Sequence, residues 1–438
     1  MTIRSIRVSD SITLSAIQTD RFKTGVLTFT LLLPLSPEST ALHILLSGMM
    51  RRGTKTYPSV SKINRRLDTL YATDVEIRST KLGKNLLLTI TAEMLDPLYT
   101  APTDQLLRGV IEVIAELLLC PVLKDGIFDE SAVEQEIRFA SDALAAEINN
   151  TRAYAVTRCA EWMNRLDPQY PTVTSVKQHI LSANAKALTE HYKMLLSSSP
   201  IDVFYIGSVS PDVLADELFS AFSALPTGAT PFSPIPLSPA TPCEPISKTE
   251  QMPVSQGKLA MGFRTGICAT ADQNKSYSAL LLNEIFGGSP ASKLFLNVRE
   301  KMSLCYYCSS SYSIYTGDIM VSSGIEVKNR AVAEEAIRSQ MEAICHGQIT
   351  DAEMHAAKKS LENCYRQLYD NPLELQAFYS ARALFGITDT IDECCEHVDA
   401  VSMDDVVSLA NRTVCDTVFF VEGTKVASLD EAEDSNED

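Results

Sequence analysis

Eight of the chain's 20 prolines fall between Pro226 and Pro253. Proline fixes φ and carries no amide hydrogen, so a run this dense cannot add an element to a core and reads as a semi-rigid extended linker over residues 225–255. A chain of 438 residues is too long for one hydrophobic core. The linker therefore divides it into a first domain, 1–224, and a second, 256–427. Residues 428–438 are acidic, lack apolar periodicity and read as a disordered tail.

The two domains present a similar order of elements. The first opens with strands over 12–17 and 25–35, the second of these apolar enough to be central in its sheet. Ser36-Pro37-Glu38 then starts a helix with an apolar stripe at Leu42, Leu45, Leu46 and Met49, stopped at Gly53. A helix over 60–70 leads into strands 71–80 and 86–94, joined at Gly83. Helices over 105–119 and 129–148 follow; Val133, Ile137, Ala140, Leu144 and Ile148 mark the expected buried face of the longer one. A helix over 183–196, a strand 203–206 and a helix 211–222 close this half.

Beyond the linker come a strand 259–263, a helix 272–286 and a short helix begun by Ser289-Pro290, with Leu294, Val298 and Met302 at helical spacing. Two strands separated by the turn Tyr315-Thr316-Gly317-Asp318 follow it. The half ends with helices over 331–344, 351–369, 373–384 and 403–411 and a strand 417–421. Arg65-x4-Leu70 can be laid on Arg299-x4-Leu304, each at a helix end before a hairpin, and Val203-Phe204-Tyr205-Ile206 on Val418-Phe419-Phe420-Val421. The pattern is that of a duplicated α+β domain.

Net charge is −17, from 38 basic and 55 acidic residues, with no basic block. This argues against a nucleic-acid or anionic-membrane partner. The first residues lack the apolar core of a signal peptide and no apolar stretch is long enough to span a bilayer, which predicts a cytoplasmic address. Eleven scattered cysteines predict reduced thiols packed as small apolar residues. Cys305-Tyr306-Tyr307-Cys308 matches C-x-x-C, but residues i and i+3 of a regular strand face opposite sides and no second C-x-x-C completes a zinc site, so no redox or metal role is expected there.

Arg299 and Tyr306 lie seven residues apart across a helix-to-strand corner, where a guanidinium and a phenol could share one space. The run Arg299-Glu300-Lys301-Met302-Ser303-Leu304-Cys305-Tyr306 resembles the second-half signature of the pitrilysin/insulinase/mitochondrial-processing-peptidase (inverzincin) family, and Arg52-Gly53-Thr54-Lys55-Thr56-Tyr57-Pro58-Ser59 resembles the segment after its zinc helix. The resemblance implies two homologous domains, each a mostly antiparallel sheet packed with helices, facing each other as a clamshell. It also implies a zinc site, His-x-x-Glu-His on a helix with a later glutamate. Here the aligned positions are Ile44, Ser47 and Gly48, and the later glutamate falls near Ala143, beside Asp142 and Glu147. His43 is one residue off, about 100° round the helix, and is expected to be a surface or capping histidine. The other five histidines show no ligand spacing, and no nucleophile elbow, P-loop or dinucleotide fingerprint appears.

What the resemblance retains is Arg299 and Tyr306, positions that in the family hold the substrate and stabilise an oxyanion opposite the zinc. The implied role is the zinc-less subunit of a two-chain peptidase: it binds no cofactor itself, zinc sits in a His-x-x-Glu-His partner, and a peptide is the substrate. The alternative is a non-enzymatic peptide-binding or scaffold protein of the same fold.

Overall fold

The computed structural model describes residues 3–101, 105–225, 233–235, 244–270 and 272–424. Part of the expected linker (226–232 and 236–243) and the tail 428–438 lie outside the described residues. Two compact units result, and neither is continuous in sequence: one comprises Met1–Ala145, Pro168–Pro236 and Gln367–Thr390, the other Ala146–Asp167, Leu237–Arg366 and Ile391–Asp438. Each unit thus contains a segment from the half that a single cut at 225–255 assigns to the other.

The first unit is built on a six-stranded sheet in the order β1-β2-β8-β3-β5-β4. Its strands are β1 (Arg4–Arg7), β2 (Ile12–Gln18), β3 (Thr24–Pro34), β4 (Asp74–Leu82), β5 (Asn85–Leu95) and β8 (Ile201–Gly207), while β6 (Leu123–Lys124) and β7 (Ile127–Phe128) form a separate small hairpin. β3 is central, as its apolar run predicts, and its buried Thr28 is satisfied by Thr91 Oγ1 at 3.1 Å. Helices α1 (Pro37–Arg52), α2 (Val60–Thr69), α3 (Leu106–Leu119), α4 (Glu130–Ala146), α6 (Val173–Ser182), α7 (Ala185–Ser198) and α8 (Pro211–Ala221) accompany the sheet. α6 is absent from the sequence reading, as are the helices over Thr151–Met163 and Ile391–Ala400. On α4 only Val133 is fully buried; Ile137, Ala140 and Leu144 pack half-buried against the same core, and Ile148, beyond the helix's end, is exposed.

The second unit repeats the arrangement. Strands β9 (Ile246–Met252), β10 (Gly257–Arg264), β11 (Cys305–Ser313), β12 (Asp318–Ile325) and β13 (Val414–Gly423) form a sheet in the order β11-β12-β10-β13-β9. Setting β1 aside, both sheets place a parallel pair (β2 with β8, β9 with β13) beside three antiparallel strands in matching chain order. β9 falls inside the expected linker. Its residues are mostly polar and exposed at a sheet edge, so they carry no apolar alternation to separate them from the prolines before them.

Helix α5 (Thr151–Met163) lies in this second unit, although its sequence belongs to the first half. It packs across β10, β12 and β13, where Ala155, Cys159 and Met163 join Met252, Ala260, Phe419 and Val421 in one buried cluster. Gly262 permits the close approach, since a Cβ there would meet Met163 Sδ at 2.1 Å. Polar ties complete the seam: Tyr154 donates to Glu250 Oε2 at 2.6 Å, Arg158 Nη2 pairs with Glu250 Oε1 at 2.6 Å, and Arg264 donates to the Met163 carbonyl at 2.6 Å. In return α12 (Pro372–Ala383), from the second half, packs on β3 and β8 of the first unit. The second unit's remaining helices are α9 (Gln273–Asn283), α10 (Arg330–Cys345), α11 (Asp351–Gln367), α13 (Ile391–Ala400) and α14 (Met403–Ala410). Among the described residues no helix is long and apolar enough to cross a membrane.

A fragment of residues 244–424 lacks α5 and exposes the face lined by Met252, Ala260, Phe419 and Val421. It should aggregate on purification, whereas cleavage of the folded chain at a protease site inserted within 236–243 should leave two fragments that co-elute. A monodisperse 244–424 fragment with cooperative thermal unfolding would show that α5 is dispensable.

Candidate functional site

α1 begins at a Ser36 cap with Pro37 in its first turn and is buried over most of its circumference. Ser47 turns back to its own helix, its Oγ donating to the His43 carbonyl at 2.8 Å. Ile44 is half-buried. Gly48 faces Glu136 of α4: a Cβ added there would lie 2.2 Å from Oε2, and the same carboxylate pairs through Oε1 with Arg52 Nη1 at 2.6 Å. The space beside Gly48 is therefore filled by the Arg52–Glu136 ion pair, and Gln135 Oε1 accepts from the other arm of Arg52 at 2.6 Å. Ala143, Asp142 and Glu147 are exposed. Glu136, not a residue near Ala143, is the carboxylate that pairs beside Gly48 on α1, and it lies two turns before the aligned position. Isoleucine, serine and glycine offer zinc neither imidazole nor carboxylate, and among the described residues no group of three or more His, Cys, Asp or Glu side chains could hold a metal.

His43 is not a surface or capping residue. It is 0 % exposed, and its Nδ1 lies 2.8 Å from Nε2 of His191, itself 5 % exposed, with the rings edge to face at 72°. Burial, then the neighbouring His191, lowers the His43 pKa to about 3, and burial lowers that of His191 to about 4. In the neutral pair one ring nitrogen donates and the other accepts. α1 is enclosed on the side that carries His43 as well.

The second constellation lies at the corner between Leu294–Lys301 and β11. Leu294–Lys301 is π-helical rather than the expected α-helix, and Met302 N donates to Asn297 O at 3.0 Å, five residues back. Leu294 and Val298 are buried, while Arg299 stays partly exposed with its guanidinium 4.6 Å from the Phe295 ring centroid. Ser303 takes a left-handed φ of 52° and reverses the chain into β11. There the pairing with β12 jumps from Cys305↔Ile325 to Tyr307↔Gly324, leaving Tyr306 as the extra residue of a β-bulge. The bulge turns Tyr306 outward, 60 % exposed. Arg299 and Tyr306 thus flank one corner with both polar ends accessible. The corresponding corner of the first unit has Arg65 and Ala72, without the phenol.

The bulge also overturns the expectation that Cys305 and Cys308 face opposite sides. An extra residue shifts the strand's two-residue alternation by one, so Cys305, opposite Ile325, and Cys308, opposite Ser323, lie on the same face of the sheet, Cys305 half-buried and Cys308 3 % exposed.

Residues 182–361 match a family model described as the inactive domain of M16 peptidases. The chain is 29 % identical over 419 residues to a Bacillus subtilis (strain 168) protein named probable inactive metalloprotease YmfF, covering 95 % of this chain and 97 % of that one. It is 22 % identical over 323 residues to the uncharacterized zinc protease YmxG of the same organism, covering 72 % and 74 %. A conserved protein from Enterococcus faecalis V583 superposes with a TM-score of 0.84 at 25 % identity, covering 97 % of this chain and 100 % of that one. A peptidase M16 inactive domain from Pseudomonas fluorescens does so at 0.79 with 13 % identity, covering 98 % and 100 %, a likeness of fold.

Tag-free protein should contain no stoichiometric zinc by elemental analysis; about one zinc per chain surviving mild chelation would mean that other residues form a site. The histidine pair predicts a pH dependence. Both folded pKa values lie below the ordinary 6.5, so between them and 6.5 the unfolded chain binds protons that the folded chain does not, and stability falls as pH falls through that window. At pH 5 the loss is roughly 2 kcal/mol per ring. Denaturant unfolding of wild type and His191→Gln at pH 7 and pH 5 checks this: the variant should lose distinctly less stability on acidification, and equal losses would show that the pair does not titrate with folding.

Proposed function

This chain belongs to the pitrilysin-type (M16) metallopeptidase family, on its inactive branch, and from that premise we propose that it is the non-catalytic subunit of a two-chain peptide-processing peptidase, paired with a homologue that carries an intact His-x-x-Glu-His. The observation that carries the reading is the asymmetry between the two constellations. Ile44, Ser47 and Gly48 offer no ligand and the space beside Gly48 is closed by Glu136 and Arg52, while Arg299 and Tyr306 remain accessible at a bulged corner.

In this reading the metal chemistry belongs to the partner. Arg299, pre-set by stacking on Phe295, holds the substrate through a charged group with several donors. The Tyr306 O–H donates to the oxygen on which charge develops at the scissile carbonyl. The free thiols among the described residues support a reducing, cytoplasmic setting. A peptide-binding or scaffold role on the same fold is the competing reading, and one experiment separates them.

Co-expression with the His-x-x-Glu-His homologue and assay against a mixed peptide library should give activity that neither chain shows alone. Tyr306→Phe should leave the complex assembled but about 10²–10³-fold slower, the usual cost of one oxyanion donor. Arg299→Ala should weaken substrate binding as well. Equal cleavage by wild type and both variants would make the pair structural and this chain a scaffold; failure to form any complex would favour the binding-protein reading.

A further inference from the structure

We propose that Cys305 and Cys308 form a reversible thiol–disulfide pair whose closure repositions Tyr306, making this corner a redox-sensitive modification site. In a regular strand, residues i and i+3 stand about 10 Å apart, beyond the ~7 Å that a disulfide tolerates between α-carbons. Here the bulge breaks that regularity. Both thiols stand on the same face, opposite Ile325 and Ser323, and the residue between them that pairs with nothing on β12 is Tyr306. An unpaired bulge residue can move without breaking ladder hydrogen bonds, so the bulge can contract to close the bond. Tyr306, the bulged residue, must then turn with it.

The two sulfurs are suited to different steps. Cys305 is half-buried and reachable; Cys308 is 3 % exposed and can be approached only through its neighbour. The Cys308 thiol and the Arg299 guanidinium stabilise the Cys305 thiolate, bringing its pKa to about 7 despite partial burial, whereas that of Cys308 is raised. Ser323 is held beside them, opposite Cys308 on β12, its hydroxyl donating to the Tyr307 carbonyl at 2.9 Å. With a low-molecular-weight disulfide as oxidant, the Cys305 thiolate attacks one sulfur and expels one small thiolate, forming a mixed disulfide. Cys308, losing its proton to solvent, then attacks Cys305 sulfur and expels the second small thiolate. Two protein thiols are oxidised and one small disulfide is reduced to two thiols.

The thiol chemistry is independent of the proposed peptidase role; only the effect of Tyr306 on cleavage rests on it. The test therefore uses no peptide substrate. Full-length protein, stripped with chelator, is equilibrated in oxidised and reduced glutathione, alkylated and mapped by mass spectrometry. The expected result is one two-electron transition that links Cys305 to Cys308, with Cys308→Ser trapping glutathione on Cys305 and Cys305→Ser leaving Cys308 unmodified. Amide hydrogen exchange over residues 305–308 should change on oxidation. The proposal is overturned if both thiols stay reduced while the exposed Cys364 acquires glutathione, or if Cys305 pairs with a different cysteine. Unchanged exchange at a formed Cys305–Cys308 bond would refute the coupling to Tyr306.

Discussion

The guanidinium of Arg264 ties together three segments that are remote in sequence. Only 2 % exposed, it pairs with Asp416 on β13 at 3.3 Å and Asp318 at the start of β12 at 2.7 Å, and donates to the last carbonyl of α5. Neither the arginine nor Asp416 could be buried alone, since an uncompensated charge in such a site costs several kcal/mol. α5, seated over them, supplies the remaining acceptor, the Met163 carbonyl. The sheet in turn needs α5, because one of its apolar faces is covered by that helix. The second unit's core, and with it the platform that carries β11 and the Tyr306 corner, depends on a segment contributed from the other side of the linker.

On that platform a single surplus residue sets the local chemistry. Without the bulge, Tyr306 would be an ordinary strand residue and its flanking cysteines would be separated by the sheet. With it, a phenol stands out beside an arginine, and two thiols are gathered below. The π-helical turn before it and the left-handed Ser303 are further departures from regular geometry at the same corner, a concentration that is common where a backbone has been shaped to aim side chains.

Much of the architecture was legible. β3, α1, the hairpins and the correspondence of β8 with β13 follow from apolar runs, caps and turn residues, and the strand orders of the two sheets agree with the duplication read from Arg65 and Arg299. Periodicity tells that a helix has a buried side but not which sheet will cover it, so α5 and α12 carry no sequence sign of their exchange. Likewise a count around one helix cannot reveal that His191 closes over His43. The bulge is hidden for a similar reason: one inserted residue leaves composition and β-propensity untouched while reversing which side every later residue faces. β9, polar and at an edge, has no pattern to read.

The exchange of α5 and α12 also bears on how the chain can be made. A polypeptide emerges from the ribosome with its amino end first, and independent domains commonly fold in that order. Here the apolar surface of β3 and β8 awaits residues 372–383, far downstream of both strands. The first half must emerge with part of its sheet unsheltered, and its completion is deferred until most of the second half exists. Holding such a nascent chain back from aggregation is a task for its cellular surroundings, imposed by the order in which one helix and its sheet are translated.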